Sequence, residues 1–375
     1  MHLHPFRAIY PKLDLIASPD AFFGTVKEDY TAYRKKGYFL ESEEESLYIY
    51  RIKDPVRAYT GIIACASIQD YLDGMIKKHE NTLAGKEQMQ TELLMARTAV
   101  VKPVLLTYEP VEAIFAFSQD LIESKEPFFE TYFKADQQTH QFWNVSDPGQ
   151  IMLLKALFDQ YVDSAYIADG HHRTTSMAQL YEQTGGKAGA SPYDRFLCAF
   201  FPSSQLEILD YNRVVEGLED ISFTTFMAQL SQVADIEVLK EPVRPREKHE
   251  MVMFINQEWF RLRWRRRLME SFKGDEVLLD VQLLNELILE NILEIADVRT
   301  DDRVKYIDGR QGIRGVSDRV GKNVNRVGFF LHPVSMDDFM RIADEGQILP
   351  PKSTWFEPRM KNGLLVQGFK KAYLY

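Results

Sequence analysis

The stretch DPGQIMLLKALFDQYVDSAYIADGHHRTTSMAQLYEQTGG, Asp147–Gly186, decides the fold. In its first part Ile151, Leu154, Leu157 and Phe158 fall at helical spacing. Asp147 is a good N-cap, and Pro148 takes the first helical position, where a missing N–H costs nothing. Ala165–Ala168 then reads as a short apolar strand. The DGHHR turn breaks it, and a second helix is expected from about Arg173 to Thr184, closed by Gly185 and Gly186. A helix, a buried strand and a helix in one continuous run predict a mixed α/β protein.

Working outward, Ser46–Ile52 alternates like a strand, and Lys27–Lys36 reads as a polar helix. Lys86–Ala99 is expected to be helical with Met89, Leu93 and Ala96 on one stripe. VLLTY (Val104–Tyr108) reads as a strand after Pro103, and Val111–Ile122 as a helix. Thr131–Val145 reads as two strands joined at Asp136-Gln137-Gln138, and Phe196–Phe201 and Leu206–Val215 as two buried strands. Lys240–Glu250, with two prolines and dense charge, is the best linker. After it, MVMFI and WFRLRW form a hairpin whose second arm alternates Phe260, Leu262 and Trp264 with Arg261, Arg263 and Arg265. That predicts one buried face and one solvated basic face.

The 375 residues suffice for two domains or one large composite, at roughly 150 residues per domain. With 45 basic and 55 acidic residues the net charge is −10, so the mean field repels a phosphate lattice, and neither nucleic acid nor an anionic membrane is expected as partner. Two cysteines, Cys65 and Cys198, cannot form a disulfide framework and suit a reducing compartment. No run of ~18 uncharged apolar residues offers a membrane span, and MHLHPFRAIYPKL lacks the apolar core of a signal peptide. The expected location is cytoplasmic.

The chemistry concentrates in YIADGHHR (Tyr166–Arg173), a strand-to-helix turn. Such a turn gathers unpaired N–H groups and the positive end of a helix dipole, a natural place for phosphate. Gly170 lets a ligand approach the backbone, and Arg173 can fork onto a phosphate. Asp169 can cap the helix or hold Mg²⁺, while His171 and His172 can donate hydrogen bonds or carry protons near neutral pH. A hydrolytic metal site or a purely structural Asp-Gly turn fits the same residues, although neighbouring histidines at a helix start point different ways. Neither a Walker loop nor HExxH occurs, because His79-Glu80 has no second histidine four residues on. Lys352, Ser353 and Thr354 sit on a proline-stiffened turn with donors that suit phosphate, and Tyr306–Gly315 repeats the strand-then-Asp-Gly theme. His2, His4, His140, His249 and His332 are scattered and are read as structural or solvated.

HENT (79–82), the AR ending a helix (96–97), IADGHHR (167–173), LDYNRVV (209–215) and PPKSTWFEPRMKNGLL (350–365) occur in this order. Together they resemble the bacterial and archaeal family called domain of unknown function 1015. DGHHR also resembles the second signature box of the ParB/sulfiredoxin superfamily, which includes free L-serine kinases and cradles nucleotide phosphates at a glycine turn. The resemblance implies a ParB/sulfiredoxin-like core with a mixed sheet and additional helices, and a phosphotransferase using ATP or ADP with Mg²⁺ on a small polar acceptor such as serine. Carried onto this chain, it implies that Gly170, His171 and Arg173, with His79, Thr82, Lys352, Ser353 and Thr354, surround the nucleotide. Asp169 would hold Mg²⁺, and Glu80, Asp169 and His172 would take part in transfer, Glu80 as base.

Two departures stand out. DAFFGTVKEDY (20–30) replaces the aromatic-Asp segment of many relatives, and Asn212-Arg213 replaces a His-Arg pair. A nucleotide-binding regulator without turnover, or a metal-dependent hydrolase using Asp169 with His171 or His172, are the alternatives. The expected organisation is a core over 1–215, an inserted hairpin and helices over 216–300, and a segment over 301–375 that returns to the site.

Overall fold

The computed structural model describes residues 1–186, 189, 191–272 and 277–369. The chain forms two compact units: Met1–Glu207 with Pro358–Tyr375, and Ile208–Glu357. Residues 370–375, the end of the third expected segment, lie outside the described residues.

The first unit is built on a nine-stranded mixed sheet, and the α/β reading of the sequence holds. Its order from one edge is Ile76–Lys77, Ala165–Asp169, Val104–Tyr108, Arg195–Pro202, Ala58–Ser67, Leu47–Lys53, Gln138–Val145 and Phe129–Phe133, with Leu3–His4 added beside Ala58–Ser67. Two pairs are parallel, Ile76–Lys77 with Ala165–Asp169 and Val104–Tyr108 with Arg195–Pro202; the others are antiparallel. Central strands are buried on both faces, so Ala58–Ser67 and Arg195–Pro202 read as continuous apolar runs. Gly61 is required there: a Cβ would stand 2.6 Å from the Phe200 carbonyl oxygen. A second, four-stranded sheet places Val366–Gly368 between Ala8–Pro11 and Ala99–Val100.

Helix Pro148–Tyr161 begins as expected, with the Asp147 carboxylate accepting from the Gln150 N–H at 2.9 Å. The helix expected from Arg173 starts two residues earlier and spans His171–Gln183. Helix Ala84–Arg97 differs in its buried face: Met89 and Ala96 are exposed, and Leu94 is the buried side chain. Only part of one face of that helix is covered, so periodicity alone misplaces the stripe.

The second unit holds a six-stranded antiparallel sheet ordered Ala234–Leu239, Glu258–Trp264, Glu250–Ile255, Arg326–Leu331, Tyr211–Glu216, Val304–Asp308. Three expectations change here. The Lys240–Glu250 linker is a loop between two strands of this one sheet. Leu206–Val215 is two strands, Glu207–Leu209 and Tyr211–Glu216. Most importantly, the arginine face of Glu258–Trp264 is solvated only in part: Arg263 is half exposed, and Arg261 is the exception. Arg261 is buried and meets Glu237 at 2.8 Å and Glu250 at 3.3 Å, while Arg263 reaches the same two carboxylates. The strand is internal, so carboxylates from the strands on either side neutralise the buried arginine.

No helix among the described residues is long and apolar enough to cross a membrane.

Candidate functional site

The first unit brings the HENT and DGHHR segments together through one parallel strand pair. Ala165 lies opposite Ile76 and Tyr166 opposite Lys77, both chains running the same way. Whatever follows each strand therefore emerges at the same end of the sheet. His79 and His171, 92 positions apart in sequence, meet there with ring centroids 4.4 Å apart at 90°. Both are buried, whereas Glu80 is half exposed, its Oε2 3.6 Å from Nδ1 of His171. Burial lowers both imidazoles, His171 to about 3 and His79 well below the ordinary value, so both are neutral at pH 7.

The neighbouring strand on the other side supplies a residue that sequence reasoning missed. Val104–Tyr108 runs antiparallel to Ala165–Asp169, with Leu105 opposite Asp169. The residues that enter the first strand thus flank the residue that ends the second. Lys102, at the bend before Pro103 and the first strand, places Nζ 2.8 Å from Asp169 Oδ2. The signal lay in Lys-Pro before an apolar strand, but its partner is fixed only by sheet register.

Arg173 is put to a different use than expected. Its Nη1 donates to the carbonyls of Lys102 at 2.7 Å and Pro103 at 2.6 Å, and its Nη2 to Asp169 Oδ2 at 3.0 Å. A guanidinium has five N–H donors; three contacts inside the protein make it a clamp on the turn rather than a free fork for phosphate. Burial alone would raise the Asp169 carboxyl, but the charges of Lys102 and Arg173 outweigh it and hold the group well below the usual carboxylate range. One carboxylate thus faces two cations. This balance does not fit Asp169 as a ligand for Mg²⁺, since a dication would be repelled; the surplus suits an anion. Nor does Asp169 cap the helix: Gly170 is the N-cap and no side chain caps it.

Gly170 has φ +118°, and a Cβ there would lie 2.8 Å from Arg173 Nη2. The first bond of the following helix runs from the Thr174 N–H to the Gly170 carbonyl at 3.0 Å. The amides of His171, His172 and Arg173 precede it and have no acceptor among the described residues. His171 turns inward, whereas His172 is half buried, its Nδ1 without a hydrogen-bond partner among the described residues. Thr82 is not free to bind a ligand through its proton: its hydroxyl donates to Glu87, which Gln179 also contacts at 2.7 Å.

Lys352, Ser353 and Thr354 belong to the second unit. The turn there is built around Arg213, which is fully buried, donates to the carbonyls of Tyr211 and Pro351, and lies 5.0 Å from the Tyr306 ring centroid. Ser353 Oγ donates to the Pro350 carbonyl. Lys352 has φ +57° and carries Nζ to 5.6 Å from the Tyr211 ring centroid. LDYNRVV and PPKSTW thus form one cluster, Arg213 inside and Lys352 at its tip. In Tyr306–Gly315, Asp308 accepts from the Arg310 amide and from Gln311, an ordinary local turn.

The family described as protein of unknown function (DUF1015) matches residues 5–284, and the chain belongs to it. The match stops short of the 350–365 block. No curated protein matches. Among solved structures, SbnI with C-terminal truncation from Staphylococcus aureus is similar at 13% identity and a TM-score of 0.40, covering 80% of this chain and 85% of that one. A free serine kinase in complex with AMP is 13% identical with a TM-score of 0.38, covering 84% and 93%. A conserved hypothetical protein from Pyrococcus furiosus is 12% identical with a TM-score of 0.35, covering 82% and 95%.

Proposed function

We propose that the chain is a nucleotide-dependent phosphotransferase that uses ATP or ADP and acts on a small polar acceptor, a free amino acid such as serine being the first to try. The observation that carries this reading is the open helix start: three amides at His171–Arg173 with no acceptor among the described residues, above a glycine at φ +118° and beside two cations that share one carboxylate. Amides and fixed cations aimed at one point stabilise phosphate oxygens without reorganising during reaction. The family resemblance of DGHHR to the ParB/sulfiredoxin box supports the same reading.

In this reading the amides of His171, His172 and Arg173 and the Lys102 ammonium hold the terminal phosphates. Arg173 positions Lys102 and Asp169 and makes no direct contact. His172, half buried at the helix start, donates to a phosphate oxygen. The acceptor hydroxyl attacks the terminal phosphorus, the bond from that phosphorus to the bridging oxygen breaks, and the hydroxyl proton passes to Glu80, the exposed carboxylate at the same sheet end. Phosphoryl transfer asks little covalent chemistry of the protein beyond such placement.

Calorimetry with ADP, ATP and AMP and a radiolabelled panel of hydroxyl acceptors test this. Lys102→Gln is expected to weaken nucleotide binding at least tenfold, and Glu80→Gln to retain binding while losing transfer. Absence of nucleotide binding by the unaltered chain, or equal transfer rates for Glu80→Gln, overturns the reading.

A further inference from the structure

We infer that His79, His171 and Glu80 form a binding site for a divalent transition-metal ion of the zinc type. The chain has no HExxH motif, because no histidine follows His79 at helical spacing. The parallel strand pair supplies the missing imidazole from 92 positions away.

The geometry has three parts. First, one donor atom from each of the three residues lies within 4.8 Å of the others, and no other trio of His, Cys, Asp and Glu among the described residues is so grouped. Second, the two rings stand at 90° with centroids 4.4 Å apart, in edge-to-face contact rather than stacked. Third, Glu80 Oε2 is 3.6 Å from His171 Nδ1. That is too long for a hydrogen bond. Donors bound about 2.1 Å from a tetrahedral ion stand about 3.4 Å apart, so the gap matches two ligands sharing an ion.

The donor set selects the metal. Two imidazoles and one carboxylate suit zinc and its neighbours manganese, iron, cobalt and nickel, whereas Mg²⁺ and Ca²⁺ prefer oxygen donors throughout. Three protein ligands leave at least one position open, and Glu80 is the exposed member, so the open side faces outward. The site adjoins the phosphate cradle: His171 offers its side chain here and only its amide there. The two readings share Glu80, as ligand in one and base in the other.

Titration of the full-length, metal-stripped protein with Co²⁺, followed by visible absorption and without nucleotide, tests the inference. One equivalent should convert the weak spectrum of the hydrated ion to the intense bands of a four- or five-coordinate site, and Zn²⁺ should abolish them. His79→Asn and His171→Asn should remove the bands. Because both histidines are buried, Glu80→Gln provides the arm that spares the fold, and it should weaken Co²⁺ at least tenfold. A spectrum that stays that of the hydrated ion, or Glu80→Gln binding as tightly as the unaltered chain, overturns the inference. Either result leaves nucleotide binding to be judged by its own experiment.

Discussion

Lys352 sits in the left-handed region at φ +57°, a conformation that costs a lysine about 1 kcal/mol or more and a glycine almost nothing. Buried Arg213 holds the turn from beneath through the Pro351 carbonyl, so the strain is imposed by the surroundings rather than chosen by the residue. Lys352→Gly is therefore expected to raise stability by about 0.5–1 kcal/mol, read as a higher urea midpoint. A midpoint that falls would mean that the contact of Lys352 with the Tyr211 ring outweighs the strain. Arg173 and Arg213 share a habit: each binds carbonyl oxygens of a proline-containing turn and so fixes backbone. Residue type suggested ligand contact for Arg173, but a guanidinium in a turn has nearer acceptors than any ligand. Contacts of that kind, like the hydroxyl bonds of Thr82 and Ser353, leave no mark on the sequence.

At the scale of elements, the strand Ala165–Asp169, the Gly170 turn and the helix His171–Gln183 work as one device. Gly170→Ala would place a methyl group 2.8 Å from Arg173 Nη2 at a φ that alanine avoids. About 1–3 kcal/mol of stability should be lost, measured by chemical denaturation, and nucleotide affinity should fall with it as the amides move. An unchanged midpoint and isotherm would show that the turn has no such constraint. Much of this device was legible: the Asp147 cap, the strand, the break at Gly170 and the helix closed by Gly185 and Gly186 follow from local rules. Sequence could not reveal that Ile76–Lys77 lies parallel to Ala165–Asp169, or that Lys102 flanks Asp169, because strand register over tens of residues has no local signature. The arginine strand illustrates a different limit. Alternation is right for Glu258–Trp264, but whether the second face meets water depends on the strand's place in the sheet.

Across the whole molecule, burial holds histidines neutral, His79 among them. Burial lowers His4 to about 4 and both His140 and His171 to about 3; His140 is also bonded to the Tyr50 hydroxyl at 2.6 Å. The unfolded chain takes up these protons near pH 6.5, the folded chain only far lower. Stability from keeping them neutral is thus fully present above pH 6.5 and is lost as pH falls toward 4 and 3. Each contributes up to about 1.4 kcal/mol per pH unit within that window. Asp169, held low by its cations, adds its own loss only below about pH 4. The urea midpoint should be flat above 6.5 and decline below it, with a shallower decline in His140→Asn; a midpoint constant from pH 7 to 4.5 would contradict the buried histidines.

The strand Val366–Gly368 completes a sheet whose other members were made hundreds of residues earlier. On the ribosome, Ala8–Pro11 must wait with one edge unclaimed, and Ala99–Val100 without its one partner strand, while the intervening unit is translated, an interval of roughly ten to thirty seconds. The nascent chain is therefore most exposed to chaperones, and to mispairing with its neighbours on a polysome, until Val366–Gly368 leaves the exit tunnel.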